Sequence, residues 1–286
     1  MPTTPTTPTA PFLTNAQAPL THTVSVVNEF GEHHDLAIPS ERALTVYVDK
    51  RELITLMTLG EHPEWLVLGY LINQRLIRSA MDVESITVDW EVGAAAVKTR
   101  SGIVDLAAKT AKRVVTTGCG QGSVFGDLMA GLERINLPAT GITQSELYAI
   151  VNAIRVHESV YKTAGSVHGC GLFLRDQMLL FVEDVGRHNA IDTIAGWMAL
   201  QQMDSTDKVF YTTGRLTSEM VIKAAQMGVA VVISRSGMTQ MGHAVAQSLG
   251  LCAIGRATNK RFLCFSAPQR LTLQPGLAGA NLRAVA

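Results

Sequence analysis

Cys119 stands in the stretch "TTGCGQGSVFGDLMAGL" (residues 116 to 132), between Gly118 and Gly120 and shortly before Gly122. The flanking glycines strip steric cover from the thiol and open backbone conformations closed to other residues. A helical pattern, "SVFGDLMAGLERI", begins close behind it, and a thiol near a helix N-terminus carries more thiolate. The chemistry on offer is nucleophilic sulfur chemistry from a bare loop. The alternative is a tight turn in which the cysteine is an incidental small residue.

A second constellation is made of four loops, "EDVGRHN", "TTGRLTS", "SRSGMTQ" and "GRATNKR", each following a run that reads as a strand. They carry Arg187, Arg215, Arg235 and the pair Arg256 and Arg261, together with Asn189, Thr213, Ser218, Ser234, Ser236, Thr239 and Thr258. In open α/β sheets ligands bind beyond the carboxyl ends of the strands. Helix N-termini favour anions there, and arginine forks match phosphate oxygens. A pocket for a phosphorylated ligand is therefore expected, against the alternative of scattered surface ion pairs. Within "EDVGRHNAID", His188 and Asp192 are one helical turn apart. That spacing suits an oriented imidazole for acid–base work, or equally a pair that pins the helix with Asp184 as its N-cap.

No metal site is expected. His168 and Cys170 alternate in "SVHGCGLF" and would share one face of a strand. Zinc deaminases instead use H-x-E with a distant P-C-x-x-C, whereas here no glutamate stands two residues after His168 and no C-x-x-C occurs anywhere. "EHH" at 32–34 lacks a second ligand set. Cys252 and Cys264 fall in apolar strand runs and read as core residues.

The elements that must position these residues fall into two domains. The Thr/Pro-rich residues 1–21 read as a disordered tail without the features of a signal peptide. Residues 22–135 read as an α+β domain. "TVSVVNEFG", "ALTVYVD", "ESITVDW" and "AAVKTR" have strand character there, and "KRELITLMTLG" and "PEWLVLGYLINQRLI" show helical spacing. This domain ends in the Cys119 loop and the helix behind it, with "NLPATG" as linker. Residues 136–275 form the second domain, and 276–286 a C-terminal tail. The second domain opens on a T-x-x-E capping box, Thr143 and Glu146, before a helix whose face includes Leu147, Ile150, Val151, Ile154 and Tyr161 and which Gly165 ends. A hairpin, "GLFLRDQMLLFVE", then leads into alternating strands and helices, closed by "RFLCFS" as an edge strand. That alternation implies an α/β fold with a largely parallel sheet and flanking helices.

Composition narrows the function. Lys plus Arg and Asp plus Glu are 24 each, so bulk charge points to no nucleic acid, and an anion must be held by local arrangement. The densest apolar run, "WLVLGYLI", is too short to span a bilayer. Four cysteines without paired spacing read as reduced thiols in a cytoplasmic protein.

Taken together, "GCGQGSVFGDL", "TAGSVHGCGLF", "VEDVGRHNAID", "TTGRLTSEMVIKAA" and "SRSGMTQMGHAVAQSLG" resemble the FdhD/NarQ family of sulfur carriers that mature formate dehydrogenases. The resemblance implies a sulfurtransferase. It would accept persulfide sulfur on Cys119 from a cysteine desulfurase. The sulfur would pass to a molybdenum or tungsten bis-pterin guanine dinucleotide cofactor, activating the formate dehydrogenase catalytic subunit. It also implies a homodimer and a C-terminal domain with a cytidine-deaminase-like fold lacking the zinc site. The cofactor's phosphates would lie on Arg187, Arg215 and Arg235 with Gly214, Ser234, Ser236 and Thr239, while Asp184, Gly186, His188 and Asn189 order the adjacent loop. The alternative is a chaperone that binds and delivers the cofactor without carrying sulfur. The family often has C-x-x-C where this chain has Cys119-Gly120-Gln121-Gly122, so the second loop cysteine is absent. Cys170 is a possible accessory thiol in its place.

Overall fold

The computed structural model describes residues 10–103, 132 and 135–277. Cys119, its neighbours Gly118, Gly120 and Gly122, and the helix expected behind them lie outside the described residues.

The N-terminal half is a five-stranded sheet in the order β1-β6-β7-β4-β5. Its strands are β1 (Phe12–Leu13), β4 (Arg42–Val48), β5 (Arg51–Thr58), β6 (Val83–Asp89) and β7 (Ala94–Thr99), while β2 (Thr21–Val27) and β3 (His33–Pro39) form a separate hairpin. The helix expected over "KRELITLMTLG" is β5. Its Leu53 and Leu56 are buried three residues apart, which imitates a helical repeat. The cause is a bulge: Val46 faces Ile54 and Tyr47 faces Glu52, so Leu53 is the extra residue and the inward period slips by one.

Helix α1 (Pro63–Asn73) carries proline in its first turn and is buried on nearly all sides. One side rests on the first sheet's core, through Leu66, Val67 and Leu71. Its other side packs along the helix Arg187–Leu200 of the second half.

The C-terminal half begins with the short strand β8 (Ile142–Thr143) and α2 (Gln144–Val156). Thr143 Oγ1 accepts from the Glu146 amide, and the Glu146 side chain accepts from the Thr143 amide, so the capping box forms. The helix does not run through to Gly165. It stops at Val156 and restarts as α3 (Val160–Ala164) under a new cap, Ser159, before Gly165 terminates it at φ 65°. Tyr161 is therefore exposed rather than on the buried face.

A six-stranded sheet follows in the order β10-β9-β11-β12-β13-β14. The strands are β9 (His168–Leu174), β10 (Gln177–Asp184), β11 (Lys208–Thr212), β12 (Val231–Ser234), β13 (Cys252–Thr258) and β14 (Arg261–Ser266). The trio β11, β12 and β13 is parallel, and β9 and β14 flank it antiparallel. Since β10 is antiparallel to β9, it runs with the trio, and four strands end at one edge. Leu147, Ile150 and Val151 of α2 cover one face, over Val209, Tyr211, Ile233 and Ile254. Helices α4 (Arg187–Leu200), α5 (Ser218–Gln226) and α6 (Gln240–Leu249) cover the other, over Leu172, Phe210, Val232 and Ala253. The described ends of the Cys119 segment rest on both halves: Ile103 packs on the first core and Leu132 within the second.

Candidate functional site

The carboxyl ends of β10 to β13 and the amino end of β9 converge on one edge, because Asp184 faces His168 and Thr212 faces both Cys170 and Ser234. A cavity of about 670 Å³ opens there on the α2 side. Its floor is Phe181, Tyr211, Gly169 and Thr213. One wall is Arg235, Ser236 and residues 257–259 of β13 and its turn. The other is Val151, Ile154 and Arg155 of α2 with Ser159, Tyr161 and Lys162 of α3.

Hydrogen bonds hold the strand-end loops in place before any ligand arrives. Gly169 and Thr213 are doubly joined: the Thr213 amide donates to the Gly169 carbonyl at 2.9 Å, and the Gly169 amide donates to Thr213 Oγ1 at 3.0 Å. Ser234 Oγ donates to the Gly214 carbonyl at 2.6 Å and accepts from the Ser236 amide at 2.9 Å. Ser234 is thus fully buried, a clasp between two loops. Thr239 caps α6, its Oγ1 accepting from the Gly242 amide at 3.2 Å. Gly214 lets the Arg187 side chain lie against the backbone, where a Cβ would collide with Arg187 Cδ.

The cavity's charge is mainly positive. Arg155, Lys162 and Arg235 line it against one carboxylate, Glu183. Glu183 is itself engaged, accepting from the Val160 and Tyr161 amides at the start of α3, and burial raises its pKa. His168 is half-buried. Burial, then Arg187, then Arg215 lower its pKa, so at neutral pH it presents an uncharged imidazole. A polyanion with an aromatic or apolar part fits such a space: Arg235 stands on the strand-end wall, Arg155 and Lys162 on the helical wall, and Val151, Ile154 and Phe181 supply apolar surface between them.

The residues expected at the site divide into two groups. Arg235 and Ser236 line the cavity, with the exposed Arg215 at the same edge. Asp184 and Asn189 are turned into the seam between the two halves. Asp184 Oδ2 accepts from Thr58 Oγ1 at 2.5 Å, and its Oδ1 accepts from the Gly186 amide and Asn189 Nδ2. Asn189 Nδ2 also donates to the Met57 carbonyl at 2.6 Å. The N-cap of α4 is Gly186, not Asp184.

His188 and Asp192 both reach side chains of other helices. His188 Nε2 lies 3.4 Å from Glu219 Oε2. Asp192 accepts from Asn73 Nδ2 at 2.7 Å and from Lys223 Nζ at 2.8 Å. Burial opposes the charge on Lys223, yet Asp192 and Glu219 hold its pKa above the ordinary lysine value.

Cys170 is closed to solvent. Its thiol donates to Thr212 Oγ1 at 3.3 Å, and burial pushes its pKa up to about 12. A thiol so placed has neither access nor thiolate, which removes the basis for an accessory role. Among the described residues no group of three His, Cys, Asp or Glu side chains is placed to hold a metal ion. No helix among them is long and apolar enough to cross a membrane.

The model of the FdhD/NarQ family matches residues 39–272. The chain belongs to the FdhD/NarQ family. A sulfur carrier protein FdhD from Bacillus pumilus is 30% identical over 241 residues, covering 82% of this chain and 90% of its own length. The corresponding protein of Bacillus subtilis is 31% identical, over 81% and 89%. The fold matches a crystal structure assigned to a formate dehydrogenase accessory protein from Desulfotalea psychrophila. The TM-score is 0.72 at 25% identity, with 88% of this chain and all of the other covered.

In this FdhD/NarQ family member the wall contributed by Arg155, Ser159, Tyr161 and Lys162 was not singled out from the sequence. The one available signal was the "HES" triplet at 157–159, a capping serine inside an apparently continuous helix. The Lys223–Asp192–Asn73 cluster had no sequence signal, since its members come from three helices far apart in the chain.

Proposed function

We propose that this chain is a sulfur carrier in formate dehydrogenase maturation. Cys119 takes the outer sulfur of a desulfurase persulfide: its thiolate attacks that sulfur, and the desulfurase thiolate leaves. The persulfide then gives its outer sulfur to the metal of a bis-pterin guanine dinucleotide, the substrate, whose guanine nucleotide part occupies the strand-edge cavity: the S–S bond breaks, Cys119 leaves as the thiolate, and the reduced metal supplies the two electrons that turn the sulfur into sulfide. The observation that carries the reading is that cavity, preorganised by the Gly169–Thr213 and Ser234–Gly214 links and walled by Arg155, Lys162 and Arg235. The names of the relatives support the same role. Charge-assisted bonds to phosphate are the strong ones in such a site. With no second cysteine in the loop and Cys170 sealed in the core, one thiol carries the sulfur.

The test is intact mass spectrometry after incubation with a cysteine desulfurase and free cysteine. Wild type gains one sulfur atom and Cys119→Ala gains none. Equal labelling of both refutes sulfur carriage on Cys119. Cofactor binding with no labelling of either would leave a delivery chaperone.

A further inference from the structure

Tyr161 reads from the sequence as a core residue of one continuous helix, and the structure moves it to the mouth of the cavity. The break between Val156 and Val160 is what moves it, because α3 restarts there with none of its five residues buried. A helix this short with no buried face has to be held by polar contacts. Glu183 makes them, one carboxylate oxygen accepting from the Val160 amide and the other from the Tyr161 amide at 3.1 Å. Ser159 Oγ caps the same turn, accepting from the Lys162 amide at 3.4 Å. The chain leaves α3 through two successive residues at positive φ, Gly165 at 65° and Ser166 at 53°, and the second carries a side chain that disfavours it.

The six-membered rings that line the cavity differ in what they leave free. Tyr211 is 2% exposed and belongs to the core under α2. Phe181 lies over Gly169, where a Cβ would collide with its Cζ, and forms a T-shaped pair with His157 at a centroid distance of 4.8 Å. Tyr161 is 51% exposed. Among the described residues it is thus the six-membered ring of the cavity with most surface open to a ligand. Its wall also carries two cations. Lys162 Nζ donates to the Val156 carbonyl at 3.1 Å and pairs with the exposed Glu158, and Arg155 donates to Asn152 Oδ1 at 2.9 Å. An aromatic platform beside cations suits a nucleotide, the ring meeting the base and the charges meeting phosphate.

We propose that Tyr161 is the residue on which the nucleotide base stacks, and that Glu183 is the positioning residue that holds it there through the Tyr161 amide. The inference rests on the reading of the cavity as the guanine nucleotide site and adds which side chain meets the base. The base lies along the Tyr161 ring on the helical wall, and the phosphates reach toward Arg235 on the strand-end wall. Stacking tolerates any base, so Tyr161 favours a ligand that carries a nucleobase over a bare phosphate ester and does not choose guanine over adenine. Both Glu183 oxygens are taken by amides, so Glu183 acts through α3.

The test is GDP binding to the full chain by calorimetry. Tyr161→Ala is expected to weaken it about ten-fold or more, and so is Tyr161→Leu, which keeps bulk without a π face. Tyr161→Phe and Tyr161→Trp should retain it. All four variants should melt with the wild type, because the side chain they change is exposed. Glu183→Gln should weaken GDP binding more in the wild-type background than in the Tyr161→Ala background, since its effect passes through the ring. Unchanged affinity in Tyr161→Ala, or a loss in Tyr161→Phe as large as in Tyr161→Ala, overturns stacking on Tyr161 and leaves the nucleotide reading standing. Equal losses from Glu183→Gln in the two backgrounds overturn its positioning role. A wild-type chain that binds no GDP overturns the reading of the cavity, and this assignment with it.

Discussion

Gly69 of α1 and Gly196 of α4 bring two helix backbones into direct contact. A Cβ on Gly69 would run into the Asp192 carbonyl oxygen, and one on Gly196 into that of Trp65. This crossing is the main joint between the two halves, and it sets the depth at which Thr58 and Met57 meet Asp184 and Asn189.

Alanine at either glycine should therefore force the helices apart. Overpacking of this kind costs about 1–3 kcal/mol and more when backbone is hit. Gly69→Ala and Gly196→Ala are each expected to lose about 3 kcal/mol or more in urea unfolding. Alanine at Gly276, where a Cβ meets nothing, should be nearly neutral.

Lys223 is fully buried between Asp192 and Glu219. Removing its charge leaves the buried carboxylates of Asp192 and Glu219 without their cation, a change that costs about 3–5 kcal/mol. Lys223→Met should unfold at markedly lower denaturant, and the paired change with Asp192→Asn should recover part of the loss in a double-mutant cycle.

The seam carries a pH dependence of defined sign. Burial, reinforced by the Glu183 and Asp184 carboxyls, pushes Glu61 up to about 7. Burial also raises Asp184 to about 6, against the hydrogen bonds it accepts. Both groups keep a proton in the folded chain at pH values where the unfolded chain has lost it, so their contribution to stability falls as pH rises. For Glu61 the fall runs from the ordinary carboxylate value up to about 7. Glu61→Gln should flatten that part of the stability–pH curve. At pH 8 it should be more stable than wild type by about 1–2 kcal/mol, allowing for solvent screening of a partly exposed side chain.

Arg235 is the cavity cation on the strand-end loops. Loss of a charge-assisted phosphate contact costs about 1.5–3 kcal/mol. Arg235→Ala is thus expected to weaken GDP binding by about ten- to a hundred-fold in calorimetry, with unchanged thermal stability. Unaltered binding would remove the phosphate from this edge.

Local rules were legible wherever local physics decided. The Thr143–Glu146 capping box, the β9–β10 hairpin and the strand–helix alternation from Lys208 onward are written in caps, turns and apolar runs, and they appear as read. The shared edge of the four arginine loops also follows from that alternation, because strands running the same way must end on the same side. Tertiary structure decided what each residue faces. Leu53 and Leu56 look helical until a bulge in the β4–β5 pair accounts for their spacing. "EDVGRHN" looks like a ligand loop, yet Asp184 and Asn189 are spent on Thr58 and Met57, far away in the chain. Cys252 and Cys264 come onto adjacent strands only because β13 pairs with β14. Periodicity and capping are properties of a few consecutive residues, whereas burial, pairing and the proton affinity of a side chain depend on partners that the chain brings in from elsewhere.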